Sequence, residues 1–282
     1  TGATKIEVDN TNSGIDFIDN ARLRLGTGND LQIYHDGSNS YIRDTGIGEL
    51  YKDLDGKEKL EGFFFKAEQP NTKNIGIVVL PAWMGIDNHA KESAEALSKL
   101  GYHAFVADIY GSVNNPQNTE EAGKLAGYFK NNPTEYQKRI QLAIDQLVKQ
   151  GANVNEIGVI GYCFGGTGAI EAARANLKVK GVVSFHGGLG KDKMRITSPI
   201  TTKVLVLHGA DDPYVSEKEI NAFQDEMRTA KADWQMIYYA NAVHAFTHKD
   251  LSTDNSKGAA YNEKADKRSW EAMKNFFNEI FK

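Results

Sequence analysis

The stretch Gly158–Ile170, GVIGYCFGGTGAI, holds the chain's single cysteine, Cys163, among crowded glycines. Its first half, with the preceding EIGVIGYC, is a short apolar run of the kind buried on both faces of a sheet. Its second half, from about Phe164 to Asn176, reads as a helix. Gly-Tyr-Cys-Phe-Gly therefore sits at a strand-to-helix turn as Gly-x-nucleophile-x-Gly. At such a turn the nucleophile occupies a strained backbone and projects above the sheet, and small residues on either side let strand and helix approach closely. The helix aims its positive end at the sulfur, which favours a thiolate. A dinucleotide fingerprint would need glycine where Cys163 stands, and a phosphate-cradling loop would need a Gly-Lys-Ser/Thr run that is absent. The plain alternative is a buried, inert cysteine, the usual fate of a lone one.

Outward from this stretch, strands and helices alternate. NIGIVVLPAW, YHAFVADIYG, VKGVVSFHG, TKVLVLHGADD and DWQMIYYANA read as strands. Helices are expected over 87–100, 119–130, 134–150, 216–230 and from about Tyr261 to the end. ELYKDLDGKEKLEGFFFKAE reads as two strands joined at Asp55-Gly56, a hairpin signal. Alternation implies right-handed crossovers and a mostly parallel sheet covered by helices, with the site at the carboxyl ends of the strands. Residues 1–48 differ: they are rich in Asn, Asp, Gly and Ser, with short hairpin-like alternations. They are expected to form a polar β extension, with residues 49–282 as the catalytic domain.

Composition narrows the function. The 282-residue chain carries a formal charge of −4, which gives no basic surface for nucleic acid. No apolar run reaches the length of a membrane span, and no signal peptide is visible. A free thiol suits a reducing, cytoplasmic setting.

Of the seven histidines, His244 follows the last strand, in ANAVHAFTH, and takes last place in the order nucleophile, acid, base. His186 and His208 close strands and could line the site. His35, His89 and His103 read as surface or packing residues. Asp211 and Asp212 follow the intervening strand and cannot both face one imidazole; Asp211 is expected to cap the turn. Trp83, Tyr110, Phe164, Tyr214 and Phe246, with His186, suit an apolar-aromatic pocket, and each aromatic could equally be core. His244 and His248 have helical spacing but no acidic motif beside them, so no metal and no cofactor is expected.

The segments GYCFGG, HGADDPYV and VHAFTH, with VVLPAWMG and GYHAFVADIYG upstream and VVSFHGGL between, resemble the dienelactone hydrolase family of α/β hydrolases from about residue 50 onward. The resemblance favours Asp212 over Asp211. It implies that Cys163 attacks an ester or lactone carbonyl, with His244 as base, Asp212 as its orienting partner, and an oxyanion hole from the N–H groups of Phe164 and Trp83. The Phe164 donor also follows from the turn geometry; the Trp83 donor rests on the resemblance. Where many members have a glutamate that contacts the thiol, this chain has Ala82. His244 must then activate Cys163 directly, as a standing pair. For a substrate carboxylate the sequence offers His248 and, on the 119–130 helix, Lys124, but neither makes a convincing clamp, so an ester or lactone hydrolase is expected rather than one for dienelactone itself. Two other readings stand beside a small-molecule ester or lactone hydrolase: an inactive domain serving as a binding or structural module, and thioester or peptide cleavage by the same residues. Within residues 1–48, RLGTGNDLQIYHDGSNSYIRDTG is similar to a β motif of phage tail-fibre proteins.

Overall fold

The computed structural model describes residues 59–282, Val113 excepted, together with the backbone of six earlier strands. Two compact units divide the chain, Thr1–Gly48 and Glu49–Lys282. In the first, β1 (Ile6–Asp9) pairs antiparallel with β2 (Gly14–Phe17), and β3 (Arg22–Leu25), β4 (Leu31–His35) and β5 (Ser40–Asp44) form an antiparallel meander. The side chain of His35 and the Asp55-Gly56 turn lie outside the described residues.

The second unit runs β6 (Gly48–Lys52), β7 (Lys59–Phe65), β8 (Gly76–Leu80), α1 (Asn88–Lys99), β9 (His103–Val106), α2 (Thr119–Asn131), α3 (Pro133–Lys149) and β10 (Ile157–Tyr162). It continues through α4 (Phe164–Arg174), β11 (Gly181–Phe185), β12 (Lys203–Gly209), α5 (Glu217–Thr229), β13 (Trp234–Tyr239) and α6 (Glu263–Ile280). The eight-stranded sheet has the order β13-β12-β11-β10-β8-β9-β7-β6. The strands from β13 to β9 pair in parallel; β7 pairs antiparallel with β9. This is the α/β-hydrolase architecture expected from the sequence, and the helix ends fall within two residues of expectation. The starts are set by capping: Asp87 accepts from the Ala90 N–H at 2.8 Å, and Ser216 from the Glu219 N–H at 3.2 Å.

Strand alternation sorts the core into two layers. Val78, Leu80, Val159, Val182, Val204 and Val206 face α2, α3, α4 and α5, where Phe129, Ile140, Leu147, Phe223 and Met227 pack. Ile77, Val79, Ile160, Val183, Leu205 and Leu207 face α1 and α6, against Leu97, Met273 and Phe277. Burial on both faces is why these strands read as continuous apolar runs. It also leaves one place for polar chemistry, the edge where β8, β10, β11, β12 and β13 end together.

Candidate active site

Strand β10 ends at Tyr162, α4 begins at Phe164, and Cys163 alone makes the turn, with φ 54° and ψ −110°. A non-glycine residue there costs on the order of 1–3 kcal/mol. The surroundings hold it. The Cys163 N–H donates to the Phe185 carbonyl at 3.0 Å. The Tyr136 hydroxyl donates to the Phe164 carbonyl at 2.9 Å, and the Tyr136 and Phe164 rings stack at 4.6 Å. The glycines are required by contact: a Cβ on Gly161 would fall 2.0 Å from the Gly165 carbonyl oxygen, and one on Gly165 2.1 Å from that of Leu80. Neither neighbour is a movable side chain. Gly161→Ala is therefore expected to leave little soluble protein, or a melting temperature lowered by about 10 °C or more, read by calorimetry.

Cys163 is partly exposed, and its Sγ lies 3.0 Å from His244 Nε2. His244 Nδ1 lies 2.8 Å from Asp212 Oδ2, and the other carboxylate oxygen accepts the Tyr214 N–H at 2.9 Å. The Asp212 side chain is fully buried, whereas Asp211 is exposed. The His244 loop is held by its N–H to the Gly258 carbonyl and by the Ala260 N–H to its own carbonyl, both at 3.1 Å.

Electrostatics set the protons. Burial pushes the Cys163 thiol up, but the His244 hydrogen bond and charge, the Lys130 charge and the Phe164 N–H outweigh it, and the thiol lies below its ordinary value. Burial pushes His244 down, but hydrogen bonds to Asp212 and Cys163 and the charges of both raise it to about 10. Both shifts favour a thiolate–imidazolium pair at neutral pH.

A cavity of about 600 Å³ opens above the sulfur. Of the residues expected to line it, Ala82, Trp83, Tyr214 and His248 do, with Cys163 and His244. The others do not; Phe164 and His208 are buried. Tyr110 is 3 % exposed, with its hydroxyl donating to the Trp83 carbonyl at 2.9 Å. It works from beneath, anchoring the loop that presents Trp83 to the cavity. His186 and Phe246 are fully buried, ring against ring at 5.0 Å, and the backbone at His186 has φ 41°. His89 is mostly buried and stacks on His248 at 4.1 Å, and His103 is buried, its Nδ1 accepting the Ala67 N–H.

Of the two basic residues the sequence offers for a carboxylate, His248 lines the cavity and Lys124 does not. Lys124 is exposed and paired with Glu120 at 2.6 Å, whereas Lys130 lines the cavity. Six residues on a helix are about 600° of rotation, so the two lysines cannot share a face. Met84, Asp87, Val215, Leu251 and Gly188 complete much of the wall and carried no distinctive sequence signal. Gly188 sits on the loop after β11, which a buried charge network ties down. Arg174 bridges Glu171 and Glu226 at 2.9 and 2.7 Å, and Arg195 joins Glu171 at 2.8 Å. Among the described residues, no group of three or more His, Cys, Asp and Glu side chains is placed to hold a metal ion, and no helix is long and apolar enough to cross a membrane.

The sequence model of the dienelactone hydrolase family matches residues 60–281. The chain belongs to the dienelactone hydrolase family. Family membership makes it a hydrolase of the carboxylic ester and lactone type. A crystal structure of a dienelactone hydrolase-like promiscuous phosphotriesterase from metagenomic libraries is 35 % identical, with a TM-score of 0.76 over 83 % of this chain and 98 % of that one. An uncharacterized protein of Caenorhabditis elegans is 32 % identical over 128 residues, 45 % of this chain and 81 % of that protein. A probable 2-oxo-3-(5-oxofuran-2-ylidene)propanoate lactonase of a Bradyrhizobium species is 26 % identical over 60 % of this chain and 72 % of that protein. Ala82 is buried in the wall of the cavity that holds Cys163.

Proposed function

We propose that the 49–282 unit hydrolyses small carboxylic esters or lactones through a thioester on Cys163, with His244 and Asp212 as its catalytic partners. The observation that carries this reading is the continuous contact from Asp212 Oδ2 through both His244 nitrogens to Cys163 Sγ, at 2.8 and 3.0 Å.

In the first step the Cys163 thiolate attacks the carbonyl carbon and an oxyanion forms. The Phe164 N–H, which already points at the sulfur, and that of Trp83 receive it; one such donor is worth roughly 2.7–4 kcal/mol of barrier. The intermediate collapses, the C–O bond breaks, and His244 Nε2 gives its proton to the leaving oxygen. Acylation removes the thiolate, and with it the Cys163 hydrogen bond and charge that helped hold that proton on His244. The neutral imidazole then takes a proton from water, whose oxygen attacks the thioester. The acid departs, and the thiolate–imidazolium pair returns. In a lactone the leaving oxygen stays tethered to the acyl chain.

With Ala82 in the wall, the pair stands ready before substrate arrives. A thiol that must stay reduced for this chemistry suits a reducing compartment such as the cytoplasm. The unbroken contact chain weighs against an inactive binding module.

The test is intact-protein mass spectrometry during turnover of p-nitrophenyl acetate. The expected result is a mass gain of one acetyl group, mapped by peptide digestion to Cys163, with turnover blocked by prior iodoacetamide. Turnover that survives complete alkylation of Cys163 would overturn the proposal.

A further inference from the structure

We propose that His186 is a positioning residue, a buried strut that ties the backbone of Cys163 to the loop carrying His244 and so fixes the separation of nucleophile and base. The inference rests on the assignment of those two roles above.

The imidazole makes two directed contacts and reaches no substrate. Its Nδ1 lies 3.2 Å from the Cys163 nitrogen and its Nε2 lies 2.8 Å from Thr247 Oγ1. A backbone N–H can only donate, so Nδ1 is the accepting nitrogen, and the ring proton sits on Nε2 and is donated to Thr247. The Cys163 N–H is thereby shared between Nδ1 and the Phe185 carbonyl. Thr247 is 2 % exposed and lies three residues after His244. Its carbonyl oxygen is 3.1 Å from His89 Nε2, which ties the same loop to α1.

The strut spans three loops, and each departs from ordinary backbone beside the contact. Cys163, His186 and Ala245 have φ of 54°, 41° and 56°. Conformations of this kind persist where the surroundings over-determine them. The ring is enclosed by His244 at 5.4 Å, Phe246 at 5.0 Å, His248 at 5.8 Å and Tyr162 at 6.0 Å. Burial, with the charges of His244, His248 and His89, holds it well below the ordinary histidine value. A neutral ring is the form that can accept from Cys163 while donating to Thr247. An apolar ring of similar size would fill the space and supply neither bond.

Thr247→Val keeps the shape of the side chain and removes the oxygen. We expect kcat for p-nitrophenyl acetate to fall about 10- to 100-fold, with KM within about threefold, since a small misplacement of reacting groups acts on the chemical step. The midpoint of the pH profile for alkylation of Cys163 by iodoacetamide should move upward, because a less well-placed His244 favours the thiolate less. Thr247→Ser restores the oxygen and should return both readouts to within about threefold of wild type. If Thr247→Val fails to fold, Thr247→Ala read against Thr247→Ser makes the same comparison. A valine or alanine variant with wild-type kcat and alkylation midpoint would overturn the strut, as would a serine variant no better than valine. The alkylation midpoint needs no turnover. If the acyl-transfer reading itself were wrong, wild type would show no acetyl adduct while the midpoint still reported on the strut.

Discussion

Cys163→Ala is expected to lower kcat for a small activated ester by about 10⁴-fold or more, with the residual rate close to that of buffer plus whatever the cavity supplies. Removing a nucleophile from a triad hydrolase leaves behind the oxyanion donors and substrate binding, which alone hold a fraction of the total acceleration. The variant should fold, because alanine keeps the Cβ and hence the backbone demand at φ 54°. Its electrostatic consequence is separately measurable. The Cys163 hydrogen bond and charge are two of the effects that raise His244 to about 10, against burial that lowers it. In the variant only the Asp212 contribution remains, so the imidazole must titrate at lower pH, a shift NMR can follow. A Cys163→Ala enzyme within tenfold of wild type, or one whose His244 titrates unchanged, would remove Cys163 from the mechanism.

The parts of this site that are legible in the sequence share one property: each is fixed by where a strand ends. Continuous apolar runs locate β8, β10, β11 and β12, and the residues just beyond them include Cys163, Asp212 and, after β13, His244. What the sequence does not resolve is the direction a side chain takes once the strand has stopped. His186 follows β11 as Cys163 follows β10, and both turn to positive φ, yet the His186 ring is fully buried between the Cys163 N–H and Thr247 Oγ1. Tyr110 suits a cavity wall by its chemistry, but a hydrogen bond to the Trp83 carbonyl makes it a support instead. Lys130 carries no signal of its own, because helix α2 is amphipathic with its apolar face set by Ala122, Ala126 and Phe129. Which polar position then meets the cavity depends on how that helix is docked, and docking is a tertiary property. Asp212 over Asp211 requires the family resemblance, since two adjacent carboxylates are equivalent until one is buried.

Asp212→Asn is expected to cost about 10³-fold in kcat while leaving the fold intact. The corresponding change in a serine triad costs roughly 10⁴, and a thiol, being easier to ionise than an alcohol, depends less on its base. The direction follows from the hydrogen bonds around the carboxylate. The Tyr214 N–H donates to Oδ1 at 2.9 Å, so the asparagine must place its carbonyl oxygen there. Its NH₂ then faces His244 Nδ1, where a carboxylate oxygen now sits at 2.8 Å. A donor at that position makes Nδ1 an acceptor and moves the ring proton to Nε2, the nitrogen that should receive the proton of Cys163. The standing pair is lost from both sides: His244 no longer holds two protons readily, and Cys163 no longer has a cation beside it. Alkylation by iodoacetamide reports the sign. In the wild type the thiol lies below its ordinary value, so the rate reaches its plateau at lower pH than that of a free thiol and falls on acidification through that lowered pKa. In the variant the thiol returns towards its ordinary range near about 8.5, and the rate should still be climbing above neutrality. The two profiles must therefore differ most between the lowered midpoint of the wild type and the ordinary one of the variant, and converge in alkaline solution. Parallel profiles with an unchanged midpoint would mean that Asp212 serves only to hold the loop at Tyr214, and that His244 and Cys163 set their protons without it.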